Sequence, residues 1–289
     1  APILAVVTAP DKPSGRGKKI TSSAVKKLAK ENKLKILQPT NLKDPNFISE
    51  LKTLKPYLIV VVAFRVLPKV VWSIPSEGTF NLHASLLPNY RGAAPINWVI
   101  INQEKMTGVT TFLINEKIDS GEILLQQELK INPNDDAGSL HNKLSKIGSE
   151  LVCDTINGII DQTIIQKVQK LSGKEKIAPK LDKENTFIDW SQPLESINAK
   201  IKGLSPYPGA RTKFLENCDT KIIKIFEAEV IKKSHNFKLK QVVIKNREIL
   251  VSVKDGFLKC NILQFPNKKR MLALDILNGY TFSSKIEVN

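Results

Sequence analysis

The sequence contains few of the residues that build disulfide frameworks or metal sites. Its 289 residues include only three cysteines and three histidines, and Cys153, Cys218 and Cys260 lie far apart along the chain. An odd number of widely spaced cysteines predicts neither disulfides nor a zinc site, so we expect a metal-free protein of the reducing cytoplasm. No apolar run approaches the roughly 18 residues of a membrane-spanning helix, so we expect no membrane contact.

Acidic residues are scarce relative to basic ones. The 44 lysines and arginines outnumber the 28 aspartates and glutamates, which gives a formal net charge of +16 and a pI near 9.6. Such an excess favours a polyanionic partner, although a lysine-rich composition alone is equally consistent with a solvated surface. At this length, with 42% hydrophobic residues, we expect two packed domains.

The order of the predicted elements changes near residue 190. Up to there, strands and helices alternate, which indicates an α/β, Rossmann-like domain with a mainly parallel sheet. The unbroken apolar run 58–63 predicts a strand covered on both faces. After residue 190, short stretches of alternating apolar and polar residues, separated by turns, predict a small antiparallel, OB-like β-barrel. We therefore expect a catalytic domain at 1–171, a polar linker at 172–188 and a barrel domain at 189–289.

Two features near the start of the chain carry local predictions. Residues 9–20 contain two prolines and two glycines, so we expect an irregular loop there, made basic by its lysines and arginine. Ser22 or Ser23 can cap a helix that runs to about Asn32. Its predicted apolar stripe consists of Val25, Leu28 and Ala29.

Three polar residues form the candidate catalytic set. Asn81 and His83 are two apart on a predicted strand, so their side chains share one face, and Pro95 can start the helix that follows. Asn can donate to a developing oxyanion, and His can exchange a proton near neutral pH. Asp119 lies in a glycine-bearing loop between two strands. Taken alone, these residues are more typical of a structural histidine and an ordinary turn aspartate.

The surrounding motifs change that interpretation. Asn-Leu-His-Ala-Ser-Leu-Leu-Pro at 81–88, followed by Tyr-Arg-Gly-Ala-Ala-Pro at 90–95, resembles the signature of the formyltransferases that use 10-formyltetrahydrofolate. The basic loop Pro-Ser-Gly-Arg-Gly-Lys-Lys at 13–19 resembles the branch of that family that acts on methionyl-tRNA. Further matches are Asp-x-Gly at 119–121, Ile-Asp-Trp-Ser at 188–191 and Ser-Pro-Tyr-Pro at 205–208.

The resemblance implies roles for individual residues. Catalysis is expected at Asn81, His83 and Asp119, with a cis peptide at Leu87-Pro88. The folate donor is expected to contact the set Arg65, Leu67, Ser85, Leu86, Leu87, Pro88, Asn115, Glu116, Lys117 and Ile118. Contacts with tRNA are expected from Arg16, Lys18 and Lys19, together with the basic barrel. Arg65 departs from the pattern, since related tRNA enzymes often have glycine there, but its backbone role would persist.

The implied reaction transfers a formyl group from 10-formyltetrahydrofolate to the amino group of methionyl initiator tRNA, by a monomeric enzyme without a metal. A sugar-nucleotide N-formyltransferase is the alternative, although a small substrate needs neither the basic loop nor a basic barrel. A glycinamide ribonucleotide formyltransferase would lack the C-terminal domain, and an RNA-binding protein on an inactive scaffold would not need the catalytic set. The apolar run Ile3–Thr8 resembles the second strand of the family, so the expectation is an N-terminally truncated sequence.

Overall fold

The structure is a computed structural model that describes residues 2–14, 19–216, 219–283 and 285–289, with only the backbone of Ser14 and Lys19. Its residues form two compact units. The first unit comprises Ala1–His83, Thr111–Leu124 and Thr155–Val168, and the second comprises Ala84–Thr110, Leu125–Asp154 and Gln169–Asn289.

The helices and strands follow one another in an α/β order and then in a mostly β order. The helices are α1 (Ala24–Glu31), α2 (Pro45–Thr53), α3 (Lys69–Trp72), α4 (Pro95–Ile101), α5 (Ala137–Ile160), α6 (Leu194–Gly203) and α7 (Ala273–Gly279). The strands up to residue 178 are β1 (Val6–Val7), β2 (Lys12–Ser14), β3 (Lys19–Thr21), β4 (Ile36–Leu37), β5 (Ile59–Val62), β6 (Thr79–His83), β7 (Arg91–Gly92), β8 (Met106–Leu113), β9 (Ile123–Lys130) and β10 (Ile177–Ala178). The remaining strands are β11 (Ala210–Glu216), β12 (Asp219–Ile231), β13 (Val242–Lys245), β14 (Glu248–Val253), β15 (Gly256–Gln264), β16 (Met271–Leu272) and β17 (Ile286–Val288).

The N-terminal part has the predicted α/β architecture with a mixed sheet. Strands β1 and β4 pair in parallel, as do β5 and β6 within the four-stranded order β5-β6-β8-β9. The connection from β8 to β9 reverses direction, since the Leu113 amide donates to the Glu122 carbonyl at 2.9 Å. The Ile114 amide donates to the Thr79 carbonyl at 2.8 Å, so β8 ends beside the start of β6 and the loop 114–122 begins there.

Helix starts in the first unit follow the capping residues of the sequence. The Ser23 hydroxyl accepts from the Lys26 amide at 3.1 Å, and the Asp44 carboxylate accepts from the Asn46 amide at 2.8 Å. The predicted apolar stripe of α1 is wrong, because Val25 and Leu28 are 57% and 61% exposed and only Ala29 is buried. The helix contacts β4, and the Leu34 amide donates to the Ala29 carbonyl at 2.9 Å, whereas the other two apolar side chains remain in solvent.

Two further predictions for the first unit need correction. Residues 9–20 are not wholly irregular, because β2 and β3 form an antiparallel ribbon in which Pro13 lies opposite Ile20. A two-stranded ribbon has only edge strands, which tolerate a proline without its N–H. The run 58–63 is a strand, but Val60 and Val62 are 37% and 53% exposed. Strand β5 ends its four-stranded sheet, and an apolar run does not reveal which faces its neighbours cover.

The C-terminal part is the predicted barrel of antiparallel strands. Its order is β13-β14-β15-β12-β11-β17, with β16 paired to β15. A bridge between Gln241 and Glu287, and a 2.8 Å hydrogen bond from the Val288 amide to the Lys240 carbonyl, bring the two ends of the sheet together. Helix α6 fills the interior with fully buried side chains, namely Leu194, Ile197 and Ile201, followed by Leu204.

Residues 176–179, which we term the strap, are held by several contacts within the second unit. Strand β10 pairs in parallel with β7, so that Ile177 lies opposite Arg91. The Lys176 ammonium and the Tyr90 hydroxyl each donate to the Glu104 carboxylate at 2.6 Å. The Trp98 indole N–H donates to the Pro179 carbonyl at 2.8 Å. Part of the segment expected as a linker is therefore regular, hydrogen-bonded structure.

Candidate active site

Strand β6 carries two of the three candidate catalytic side chains, those of Asn81 and His83. It pairs in parallel with β5, with Asn81 opposite Val61, and the two-residue spacing places Asn81 and His83 on one face. His83 is 6% exposed, and the ring of Phe112 meets it edge-on at a centroid distance of 6.4 Å. The histidine is thus fixed at the carboxyl end of a parallel strand, where open α/β sheets place their sites.

The third candidate, Asp119, comes from the loop between β8 and β9. Its Oδ2 lies 3.8 Å from His83 Nδ1, and its side chain is 13% exposed. This is within ion-pair range, so a protonated His83 would face a carboxylate with little intervening solvent. The structure therefore brings together Asn81, His83 and Asp119 within the first unit.

The shape of this loop depends on unusual backbone at two positions. Asp119 has a φ of 49°, in the left-handed region that non-glycine residues seldom occupy. At Gly121 a Cβ atom would lie 1.6 Å from the Leu113 carbonyl oxygen, so any side chain there would displace the loop. A single αL aspartate beside an obligatory glycine turns the carboxylate toward the sheet. Such backbone is often found at functional sites.

Asn115 organises the rest of the loop from within. Its Oδ1 accepts from the Lys117 amide at 2.9 Å and from the Ser120 hydroxyl at 3.0 Å. Glu116 pairs with Lys69 at 2.7 Å, and this hydrogen bond lowers the pKa of the carboxyl. Ile118 is 68% exposed, so most of its side chain lies in solvent. The loop therefore presents its backbone and an apolar tip to solvent beside Asp119.

Asn81 has an unsatisfied polar atom. Its Oδ1 is buried and has no hydrogen-bond partner in the described part of the chain. A buried polar atom without a partner costs roughly 1–3 kcal/mol, so such atoms need an explanation. Rotation of the amide by half a turn puts its NH2 group at the same place, so this end of Asn81 can accept or donate. A ligand carbonyl or amine beside His83 would supply the missing partner.

Arg65 and Leu67, both predicted to contact folate, have different surroundings. The Arg65 guanidinium donates to the Pro39 and Thr40 carbonyls, each at 2.9 Å. Leu67 packs against the hydrophobic core of the first unit. A cavity of about 770 Å3 lies beside them, lined by Thr40, Asn41, Leu42, Lys43, Arg65, Val66, Pro68, Lys69 and Val70. Arg65 therefore contributes to a cavity wall, with its side chain turned to the 39–40 loop.

Residues Ser85 to Pro88 directly follow β6 and belong to the second unit. The Leu87–Pro88 peptide is cis, as predicted. The Thr110 hydroxyl donates to the Ser85 carbonyl at 2.6 Å and accepts from the Leu87 amide at 3.2 Å. The Gln126 amide donates to both the Leu87 carbonyl and the Thr110 hydroxyl, at 3.0 and 2.9 Å. Leu86 packs against Gly108, where a Cβ atom would lie 2.6 Å from its Cδ2.

Sequence reasoning missed Thr110 and Gln126, because a threonine and a glutamine within strands have no distinguishing pattern. The side chains of the predicted tRNA contacts fall outside the described part of the chain. Arg16 and Lys18 lie outside the described residues, and only the backbone of Lys19, in β3, is described.

The arrangement suits proton transfer next to a polarised carbonyl. It offers a buried imidazole, a carboxylate within 4 Å and an amide end without a partner. General acid–base groups and oxyanion donors of this kind serve acyl transfer to an amine. Within the described residues, no group of three or more His, Cys, Asp or Glu side chains could hold a metal ion, and no helix is long and apolar enough to cross a membrane.

Solved structures similar to the chain have the same fold. HypX from Aquifex aeolicus in complex with tetrahydrofolic acid matches with a TM-score of 0.64 and 18% identity, covering 89% of this chain and 47% of that one. An N-formyltransferase from Helicobacter canadensis in complex with folinic acid and dTDP-3-aminofucose matches with a TM-score of 0.61 and 21% identity, covering 86% and 85%. At these identities the similarity concerns the fold.

Sequence comparison gives more similar relatives. The methionyl-tRNA formyltransferase of Flavobacterium johnsoniae is 50% identical over 286 residues, which cover 99% of this chain and 91% of the relative. That of Bacteroides fragilis is 44% identical, with coverages of 96% and 87%. The model of the formyl transferase family matches residues 1–156, and that of the formyl transferase C-terminal domain matches residues 180–281. The chain therefore belongs to the formyltransferase family.

Proposed function

We propose that this protein transfers the formyl group of 10-formyltetrahydrofolate to the α-amino group of methionyl initiator tRNA. The observation that carries the proposal is the 3.8 Å approach of Asp119 to His83, which shares a face of β6 with Asn81. Support comes from relatives named methionyl-tRNA formyltransferase that are similar over nearly the whole chain. The net charge of +16 suits an RNA substrate.

In the proposed reaction the amine attacks the formyl carbon, and negative charge develops on the formyl oxygen. The free amide end of Asn81 and a protonated His83 donate hydrogen bonds to that oxygen. Asp119 stabilises the imidazolium and accepts the proton that the amine loses, directly or through a water. The C–N bond to the folate nitrogen then breaks, and that nitrogen takes a proton.

Two segments are proposed to contribute contacts with the folate donor. One is the loop 115–118, whose backbone is held from within by Asn115. The other is Ser85–Pro88, whose backbone is held by Thr110 and Gln126. The backbone of Arg65 and Leu67 completes the proposed set. Rigid backbone and an unpaired amide at Asn81 fit a planar polar ligand that brings its own hydrogen-bonding groups.

The tRNA is proposed to contact the catalytic domain through the basic loop and the C-terminal domain through its basic surface. We assign the catalytic domain to 1–171, the linker to 172–188 and the tRNA-binding barrel to 189–289, in a cytoplasmic monomer. Replacing Lys18 and Lys19 by alanine should reduce the salt dependence of tRNA binding and leave folate binding unchanged. An unchanged salt dependence would refute the phosphate contacts, and light scattering tests the monomer.

A comparison of two acceptors tests the proposed substrate. Purified protein is given 10-formyltetrahydrofolate with either methionyl initiator tRNA or an amino-sugar nucleotide, and formylated product is followed by mass spectrometry. Formylation of the tRNA alone is expected. Uncharged tRNA is the matched control, because it presents the same polyanion without the amine. Formylation of the sugar nucleotide in preference to the tRNA would refute the proposal in favour of a sugar N-formyltransferase.

A further inference from the structure

Two neighbouring barrel strands place like charges directly opposite one another. Arg211 on β11 is the cross-strand partner of Lys224 on β12, and both side chains point away from the barrel core. Like charges in this position destabilise a sheet, whereas an acidic partner would stabilise it. On its other side Lys224 faces Gln264 of β15, which is neutral. Among the described strands, Lys224 therefore has no acidic cross-strand partner.

A third cation joins this pair. Arg270 lies between β15 and β16, with its guanidinium 3.8 Å from the ring centroid of Phe226. Burial, and then the charges of Arg211 and Arg270, lower the pKa of the Lys224 ammonium. A Cβ atom at Gly209 would lie 3.2 Å from Lys224 Cδ and 2.6 Å from the Phe226 ring that Arg270 covers, so Lys224 lies near Arg270 as well as opposite Arg211. We name Arg211, Lys224 and Arg270 the barrel cation cluster.

The cluster is held by carbonyl oxygens, which cannot neutralise it. Arg211 donates to the Lys183 carbonyl at 3.1 Å, Lys224 to the Pro208 carbonyl at 2.8 Å, and Arg270 to the Pro206 carbonyl. Among the described residues, none of the three is in an ion pair with a carboxylate. Other barrel lysines do have such partners, as Lys232 pairs with Glu195 and Lys238 with Glu287.

An exposed aromatic side chain lies between the carbonyls that hold the cluster. Tyr207 is 79% exposed, and its flanking residues Pro206 and Pro208 accept from Arg270 and Lys224. The loop 205–209 packs closely against the barrel, since a Cβ atom at Gly209 would lie 2.6 Å from the ring of Phe226. The aromatic ring is therefore presented to solvent from an anchored loop.

We propose that the barrel cation cluster binds backbone phosphates of the RNA substrate and that Tyr207 stacks on an unpaired base beside them. Three adjacent positive charges without counter-ions fit a chain of phosphates, and an exposed aromatic ring next to them fits nucleic acid better than an acidic peptide. The inference rests on the proposed function and goes beyond it. It assigns RNA contacts to a defined face of the barrel, in addition to the basic loop.

The test measures binding of fluorescently labelled initiator tRNA by anisotropy across a series of KCl concentrations. Removing one phosphate-binding side chain should reduce the slope of log affinity against log salt by about 1, so the double variant Lys224→Gln, Arg270→Gln should reduce it by about 2. The control Lys232→Gln, Lys238→Gln removes the same charge from ion-paired sites and should leave the slope unchanged. Tyr207→Ala should weaken binding by at least about fivefold with an unchanged slope.

Two further measurements separate a loss of charge from a loss of folding. Arg270→Lys retains the charge and should retain the slope, and thermal melting checks that each variant is folded. Equal slopes for the cluster variant and the control would overturn the inference. If wild-type protein also formylates methionyl-tRNA, the proposed function survives that result. If wild-type protein neither binds nor formylates the tRNA, both the proposed function and this inference fail.

Discussion

Removing the charge of Asp119 should slow formyl transfer by a factor on the order of 1,000. Asp119→Asn preserves the size of the side chain and leaves His83 in place, but the imidazolium that forms during the reaction loses its counter-ion. The two atoms are 3.8 Å apart, with both side chains largely buried. At an effective dielectric constant of about 20, unit charges about 4 Å apart interact by about 4 kcal/mol, or about three decades in rate.

Single-turnover formyl transfer with both substrates saturating is the appropriate assay, because it separates the chemical step from binding. Glu77→Gln is the matched control. It also removes one carboxylate from the first unit, but from an exposed position outside the proposed site, and its rate should equal that of wild type. Folate and tRNA affinities should change little in Asp119→Asn, since the proposed binding contacts use other groups.

The double variant His83→Asn, Asp119→Asn adds a second check. If the two residues act as a unit, the double variant should be only slightly slower than His83→Asn alone. A near-normal single-turnover rate for Asp119→Asn would refute the reasoning. Catalysis would then have to be explained by His83 and Asn81 without a carboxylate partner.

Three other predictions concern the loop 114–122, the Ser85–Pro88 segment and the barrel domain. Gly121→Ala should abolish formyl transfer in the same single-turnover assay, because its Cβ would overlap the Leu113 carbonyl; normal activity would show that the loop can shift. Thr110→Val deletes a buried hydroxyl with several hydrogen bonds and should lower the unfolding free energy in urea by about 2 kcal/mol; an unchanged midpoint would contradict this. The Ser191 hydroxyl and other donors lower the pKa of Asp189 to about 2, so the stability that this carboxylate contributes is present above pH 4 and lost as the pH falls toward 2. Asp189→Asn should thus be less stable than wild type at pH 7, and the difference should shrink below pH 4; a constant difference would refute the linkage.

Sequence reasoning succeeded where a local pattern has one physical interpretation. Ser22 or Ser23 was expected to start a helix because a serine hydroxyl can accept from a free amide, and Ser23 does so in the structure. Short alternating segments after residue 190 predict a barrel because alternate side chains must fill one interior. The end strand β17 was not predicted, since three residues show too little periodicity.

The candidate site was predictable in its composition but not in its support. The resemblance pointed to Asn81, His83 and Asp119, and their proximity is seen only in the folded chain. Thr110 and Gln126 hold the neighbouring loop through contacts between residues far apart in sequence, which no local pattern encodes. The exposure of Val25 on α1 shows the same limit, because periodicity gives a face but not what covers it.

Contacts made by the strap and the residues after it predict how the protein behaves when its backbone is cleaved near residue 173. Gly173, just before it, has open space around the position of a Cβ atom, which suits attack by a protease. Yet the second unit draws residues from both sides of such a cut, and the Asn97 side chain donates to the Gly203 carbonyl at 2.7 Å across it. A nicked protein should therefore stay assembled, and two separately expressed fragments divided at this point should complement each other.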